Sequence, residues 1–247
     1  MKVDELSILI TGGARGIGAA TATLLAEGGA KVMITDVLDE EGAALADRLG
    51  PNARYRRLDV TEPADWEAAV AATEEAFGAL NALFNNAGIV SFVGVTDCTV
   101  EEFRRVQDIN VLGVFLGIKH CAPAMRRAGG GAIVNNSSTA GMQGYAGIAA
   151  YVASKWAVRG LSKAAALDLA PDGIRVVSLH PGPIRTPMTD GLPRDMAETQ
   201  PIPRFGEPEE VAAMTRFLLC EATYTTGTEF VVDGGAIVGR LEPVAKD

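Results

Sequence analysis

Seven short apolar runs, separated by longer segments of helical period, constrain this chain more than any other feature. The runs are LSILIT (6–11), KVMITD (31–36), ARYRRLDV (53–60), NALFNNAG (81–88), GAIVNNSS (131–138), IRVVSLHPG (174–182) and TEFVVDGG (228–235). Helical patterns follow the first three runs: one to about Glu27, then DEEGAALADRL and DWEAAVAATEEAF. A long one from about Val100 to Arg127 follows the fourth, one containing YVASK the fifth, and one from about Pro208 precedes the last. Strands of five or six residues alternating with helices predict βαβ units, hence a doubly wound parallel sheet flanked by helices on both faces. No repeat, low-complexity tract or linker divides residues 1–247, so a single α/β domain is expected.

Composition narrows the function classes. A formal net charge of −9, with no Lys/Arg cluster, disfavours a nucleic-acid surface. No apolar run approaches the ~18 residues of a membrane span. The opening MKVDELSILITGG reads as a strand entering a glycine turn, not a signal peptide. Cys98, Cys121 and Cys220 are scattered, which suits free thiols in a reducing, cytoplasmic setting. The two histidines, His120 and His180, lack metal-ligand spacing, so no metal site is expected.

The chemistry gathers where runs end. TGGARGIG (11–18) lies between the first strand and first helix, where Gly12, Gly16 and Gly18 allow a tight turn and bring a pyrophosphate to helix N-terminal amides. Asp36 ends the second strand roughly 20 residues on, as a ribose-binding acid should. Asp39, Glu40 and Glu41 stand nearby as ordinary helix-start acids, and Arg15 is a cation able to attract a 2′-phosphate. With Val37 and no basic residue directly after Asp36, NAD is expected over NADP. Asp59 can reach an adenine amino group, and Asn85, Ala87 and Gly88 can line the cleft. Tyr151 and Lys155, four apart on a predicted helix, share one face. A nearby ammonium lowers a phenol's pKa and makes it a usable base.

These motifs in this order resemble the short-chain dehydrogenase/reductase family: T-G-x-x-x-G-x-G (11–18), NNAG (85–88), Asn110 in DINVLG, Ser138 in NNSS, Y-x-x-x-K (151–155) and HPGPIRTPM (180–188). VFLGIK, WAVRGLSK and HPGPIRTPMT are most similar to NAD-dependent hydroxysteroid and secondary-alcohol dehydrogenases. The resemblance implies a Rossmann-type sheet of seven parallel strands, NAD as cofactor, an apolar alcohol or ketone substrate and a homotetramer. It implies a catalytic set of Asn110, Ser138, Tyr151 and Lys155, with Asn110 at a helix distortion that holds a water in a proton relay to Lys155. Cofactor contacts would come from Gly12, Arg15, Gly16, Ile17 and Gly18 in the glycine loop, and from Asp36 and Val37 after the second strand. Asp59 and Val60 after the third and Asn86, Ala87 and Gly88 after the fourth would add to these. Pro181, Gly182, Ile184 and Thr186 after the sixth, with Tyr151 and Lys155, would complete them. Asn136 departs from the pattern, since an apolar residue often stands there.

Residues 183–208 break the alternation with six prolines and no strong period, and are expected to form a lid. Met188, Leu192 and Met196 recur every four residues, as on one helical face. Ser91–Thr96, Thr139–Gly147 and this insertion are expected to line the substrate pocket, with Met142, Tyr145, Met188 and Leu192 as apolar wall. The rival readings are a 3-oxoacyl reductase, which Asp36 disfavours, and a non-catalytic dinucleotide sensor, which has no need of the Tyr–Lys pair.

Overall fold

A computed structural model describes residues 1–239. Seven parallel strands lie in the order β3-β2-β1-β4-β5-β6-β7: β1 (Ser7–Thr11), β2 (Lys31–Asp36), β3 (Ala53–Arg57), β4 (Ala82–Asn85), β5 (Gly131–Asn136), β6 (Ile174–Pro181) and β7 (Glu229–Val232). The order reverses between β1 and β4, and a crevice opens beyond the strand ends there, where doubly wound sheets bind ligands. Helices α1 (Gly16–Glu27), α2 (Asp39–Leu49) and α7 (Pro208–Cys220) pack on one face. Helices α3 (Pro63–Phe77), α5 (Gly113–Arg127) and α6 (Ala149–Leu169) cover the other.

Burial on both faces explains the unbroken apolar runs. In β1, Ile8 and Ile10 enter the core with α1 and α7, whereas Leu9 enters the opposite one beside Trp66 of α3. Strand β5 divides likewise, Ala132 and Val134 to one side and Ile133 to the other.

Some runs outlast their strands, and side chains explain where they stop. Strand β3 ends at Arg57, because Asp59 turns its carboxylate onto the amide and hydroxyl of Thr61. Strand β4 ends at Asn85, because Thr11 Oγ1 captures the amides of Asn86 and Ala87, each at 3.0 Å. The stretch expected as one helix from about Val100 to Arg127 is α4 (Val100–Gln107), a π turn over Asp108–Leu112, then α5. Asn110 sits inside the π turn and bonds both main-chain groups of Ile89, each at 2.9 Å. Such single π turns arise where a helix surrenders its own bonding to something else, frequently at functional sites.

Candidate active site

One cavity of about 980 Å³ runs along the carboxyl ends of the strands, from Asp36 and Leu38 at one end to Ser138, Tyr151 and Met196 at the other. It is bordered by all the expected cofactor residues except Gly18, which is buried beneath. Asn110 is also fully enclosed behind the wall.

The glycine loop has its shape for steric reasons. Gly12 (φ +59°) lies where a Cβ would come within 2.9 Å of Ala87 Cα. A Cβ on Gly18 would lie 2.1 Å from the Gly12 carbonyl oxygen. Only hydrogen fits, so the loop lies flat on β4 and the first turn of α1 faces the cavity with amides that have no intrahelical partner. Asn86 braces it, donating from Nδ2 to the carbonyls of Thr11 (3.1 Å) and Gly12 (3.0 Å). Asn86 Oδ1 must then accept, which it does from Asn136 Nδ2 at 2.9 Å. That leaves Asn136 Oδ1 as a buried acceptor without a partner among the described residues. The departure at position 136 thus adds a rung between β5 and the phosphate loop that an apolar residue lacks.

At the far end of β2, Asp36 Oδ2 accepts the Ala14 amide (3.0 Å), and Oδ1 accepts those of Val37 (2.8 Å) and Leu38 (3.2 Å). Three amides from two segments aim the carboxylate at the cavity edge. On that side Arg57 is already committed to Asp39 (3.0 Å) and the Val37 carbonyl (2.9 Å). Arg15 is exposed at the rim.

The opposite end holds the hydroxyl and amine chemistry. Tyr151 and Lys155 occupy one face of α6, with Nζ 5.4 Å from the ring centroid. Lys155 is buried and donates to the Asn136 carbonyl at 2.9 Å. A Cβ on Gly88 would sit 3.2 Å from Asn110 Oδ1 and 3.5 Å from Lys155 Nζ, so these two polar groups converge on bare main chain. Asn110 Nδ2 also donates to Ser154 Oγ (2.9 Å), on α6 beside Lys155. Ser138 follows β5; its Oγ accepts the Ala140 amide at 3.1 Å and keeps its own proton to donate. Ser138 and Tyr151 both border the cavity, and the Ser138 hydroxyl acts to lower the Tyr151 phenol.

Burial adds an effect that spacing does not carry. The Tyr151 phenol is pushed up to about 12, chiefly by burial, and the Ser138 bond opposes this only partly. Burial also lowers Lys155 to about 8. Burial therefore works against the lowering of the phenol that the nearby ammonium is expected to bring. Enclosure disfavours the charged form of both partners, which proximity in sequence does not register.

Other expectations need adjustment. Asn85 does not line the cavity: it is the buried last residue of β4, donating to Asn135 Oδ1 at 2.8 Å. Met142 is not part of the wall, and from Ser91–Thr96 only Phe92 is. Before Pro208, where α7 begins, the 183–208 segment forms no α-helix; two short 3₁₀ turns, Pro187–Thr189 and Arg194–Ala197, flank Pro193, which cannot donate within a helix. Met188, Leu192 and Met196 nevertheless all border the cavity. The segment is stapled at its neck, Arg185 N to Gly206 O (2.8 Å) and Gly206 N to Pro183 O (2.9 Å). Sequence reasoning also passed over His180, which bonds the Ser138 carbonyl at 2.9 Å; its position in the HPG triplet was its only signal.

Comparison with known proteins agrees with this arrangement. A family model described as enoyl-(acyl carrier protein) reductase matches residues 12–236. A crystal structure of a short-chain type dehydrogenase/reductase from Mycobacterium marinum superposes with a TM-score of 0.89 at 36% identity, covering 94% of this chain and 95% of that one. The chain belongs to the short-chain dehydrogenase/reductase family. It is similar to the 3-alpha-(or 20-beta)-hydroxysteroid dehydrogenase of Mycobacterium tuberculosis, 48% identical over 94% of this chain and 89% of the relative. It is also similar to the trans-4-hydroxycyclohexanecarboxylate dehydrogenase of Sinomonas cyclohexanicum, 44% identical over 97% and 95%. The family makes it an oxidoreductase with a nicotinamide dinucleotide cofactor, NAD or NADP. The cavity fits such a ligand: an acid at one end, unpaired helix amides in the middle, and a bordering Asn136 whose side-chain oxygen has no partner among the described residues. No described helix is long and apolar enough to cross a membrane.

Proposed function

We propose that this chain interconverts a ring-borne secondary alcohol and its ketone, with NAD as cofactor and Asn110, Ser138, Tyr151 and Lys155 as the catalytic set. The observation that carries the reading is one cavity with an amide-held Asp36 at one end and the Ser138–Tyr151–Lys155 cluster at the other. The bound nicotinamide supplies the hydride acceptor or donor. For ketone reduction Tyr151 gives its proton to the carbonyl oxygen, and for oxidation it takes the hydroxyl proton as the carbon loses hydride. Ser138 donates to that oxygen in both directions and stabilises charge growing on it. Lys155 offsets the developing phenolate charge, and Asn110 holds the Ile89 segment and Ser154 around the lysine.

An uncharged, apolar substrate is supported by the wall of Phe92, Ile148, Met188, Leu192 and Met196. The relatives' names point to secondary alcohols, a 3-alpha- or 20-beta-hydroxysteroid in one and the ring hydroxyl of trans-4-hydroxycyclohexanecarboxylate in the other. NAD is supported by Asp36, which accepts ribose hydroxyls and repels a 2′-phosphate, with the nearby Arg57 engaged elsewhere. Residues 183–208 serve as the lid. Exposed Leu112, Phe115, Trp156 and Val231 support assembly into a homotetramer, and three free cysteines a cytoplasmic setting.

The test is a panel of hydroxysteroids, cyclic alcohols, sugars and an acyl thioester, assayed with NAD and NADP in parallel. Cyclic secondary alcohols should turn over, with kcat/KM for NAD above that for NADP by roughly 30-fold to several hundred-fold, since two charge-assisted bonds are worth about 2–4 kcal/mol. Turnover of the thioester alone refutes the substrate class, and a preference for NADP refutes the role of Asp36.

A further inference from the structure

Histidine 180 lies on β6 and is fully enclosed, away from the cavity wall. Both ring nitrogens are nevertheless engaged: Nδ1 is 2.9 Å from the Ser138 carbonyl oxygen, and Nε2 is 2.9 Å from Ser178 Oγ. A carbonyl can only accept, so Nδ1 carries the proton. The neutral ring then accepts the Ser178 hydroxyl proton at Nε2. Burial lowers the histidine's pKa, with Arg159 and Lys155 acting in the same direction against Glu229 and the Ser138 bond. This is one tautomer, fixed at both ends.

The place of this bond gives it a purpose. The β5–β6 ladder ends at Asn136 opposite Leu179, and one further amide bond follows, from Ser137 to the Leu179 carbonyl at 2.7 Å. At Ser138 the chain leaves the sheet to begin a 3₁₀ turn, with extended backbone (φ −176°, ψ 165°). Its carbonyl accepts from Gly141 within that turn (2.8 Å) and from His180 outside it. The Gly141 bond moves with the turn. The bond from His180 ties the serine's main chain to the rigid sheet.

We propose that His180 is a positioning residue: its Nδ1–H anchors the Ser138 carbonyl so that the serine hydroxyl stays opposite Tyr151. This rests on the dehydrogenase reading above, in which Ser138 donates to the substrate oxygen. His180 acts only through that serine and touches neither substrate nor cofactor.

Two amide replacements separate anchoring from packing. Asn puts its side-chain nitrogen about where Nδ1 lies and can still donate to the Ser138 carbonyl. Gln presents its amide about where Nε2 lies and leaves the carbonyl without this donor. His180→Gln should lower kcat by roughly 10- to 100-fold, the scale on which small misplacement of a reacting group acts. KM for alcohol and the NADH dissociation constant, measured by cofactor fluorescence, should stay within about twofold. His180→Asn, although smaller, should retain kcat within about threefold. Equal losses in both variants, or undiminished kcat in His180→Gln, overturn the proposal. A second measurement is independent of turnover and of folding in the variants. In the ¹⁵N spectrum of the unmodified protein only two imidazoles exist, those of His120 and His180. The His180 signals should show a protonated Nδ1 and a bare Nε2 at neutral pH. A proton on Nε2 with a bare Nδ1 abolishes the anchor and the proposal with it. Should no alcohol turn over, the dehydrogenase reading fails, while the tautomer still decides whether the anchor exists.

Discussion

Replacing Lys155 by Met keeps the length of the aliphatic stem and removes only the ammonium, 5.4 Å from the Tyr151 ring. At an effective dielectric of about 20, a unit charge at that separation stabilises a phenolate by roughly 3 kcal/mol. At 1.36 kcal/mol per unit this is about two pKa units. It brings the Tyr151 phenol, about 12 from burial, towards roughly 10 while the lysine is protonated. The active form for alcohol oxidation pairs phenolate with ammonium, so its population rises tenfold per pH unit until Lys155 itself deprotonates near 8. Above that point the ground state and the active form carry the same number of protons, and the rate levels off. Lys155→Met has no such break and keeps rising. Oxidation at saturating substrates should therefore be about 100-fold slower in the variant at pH 7. The gap should narrow about tenfold per pH unit above 8 and nearly close by pH 10. The assay is NADH formation by both proteins from pH 6 to 10. Any purely geometric role of the lysine adds a constant factor, so a ratio that does not change with pH refutes the electrostatic account.

Three further outcomes follow from the same geometry. Tyr151→Phe should lower turnover by ~10²-fold or more while NADH fluorescence still reports binding, and near-normal turnover would remove the residue from the mechanism. Gly18→Ala drives a Cβ to 2.1 Å from the Gly12 carbonyl and 2.8 Å from Asn86 Nδ2. Overpacking of this kind costs about 1–3 kcal/mol, so the melting temperature should fall by roughly 2–12 °C and NADH should bind more weakly; an unchanged melt and affinity would contradict it. Amides of residues 188–200 should exchange quickly in the free protein and slowly with NAD plus a substrate analogue, because a lid gains order on closing. Exchange that is already slow and unaffected by ligand would mean a permanently packed segment.

The parts of the fold legible in the sequence are those where local pattern and burial agree. Strands β1, β2, β5 and β6 read clearly because both faces of a parallel sheet are covered, and Asp36 and the glycine loop read clearly because each stands at a strand end. Illegible in local pattern were features made by groups far apart in the chain, although the family resemblance does imply a helix distortion at Asn110. Thr11 ends β4 from 75 residues away, and the π turn in the long helix exists because Asn110 serves Ile89, 21 residues earlier. Neither partner leaves a trace in periodicity. The Tyr151–Lys155 pair shows the same limit in its chemistry: spacing of four gives proximity, but enclosure by β5, β6 and the residues after Ser138 sets the proton affinities. That enclosure also gives the pair its use. In the proposed mechanism burial keeps the phenol protonated and available to a ketone, and the buried ammonium, little screened by water, would ease release of that proton in the oxidative direction. One burial would then serve both directions of a reversible reaction, whose balance the pH of the medium sets because alcohol oxidation releases a proton.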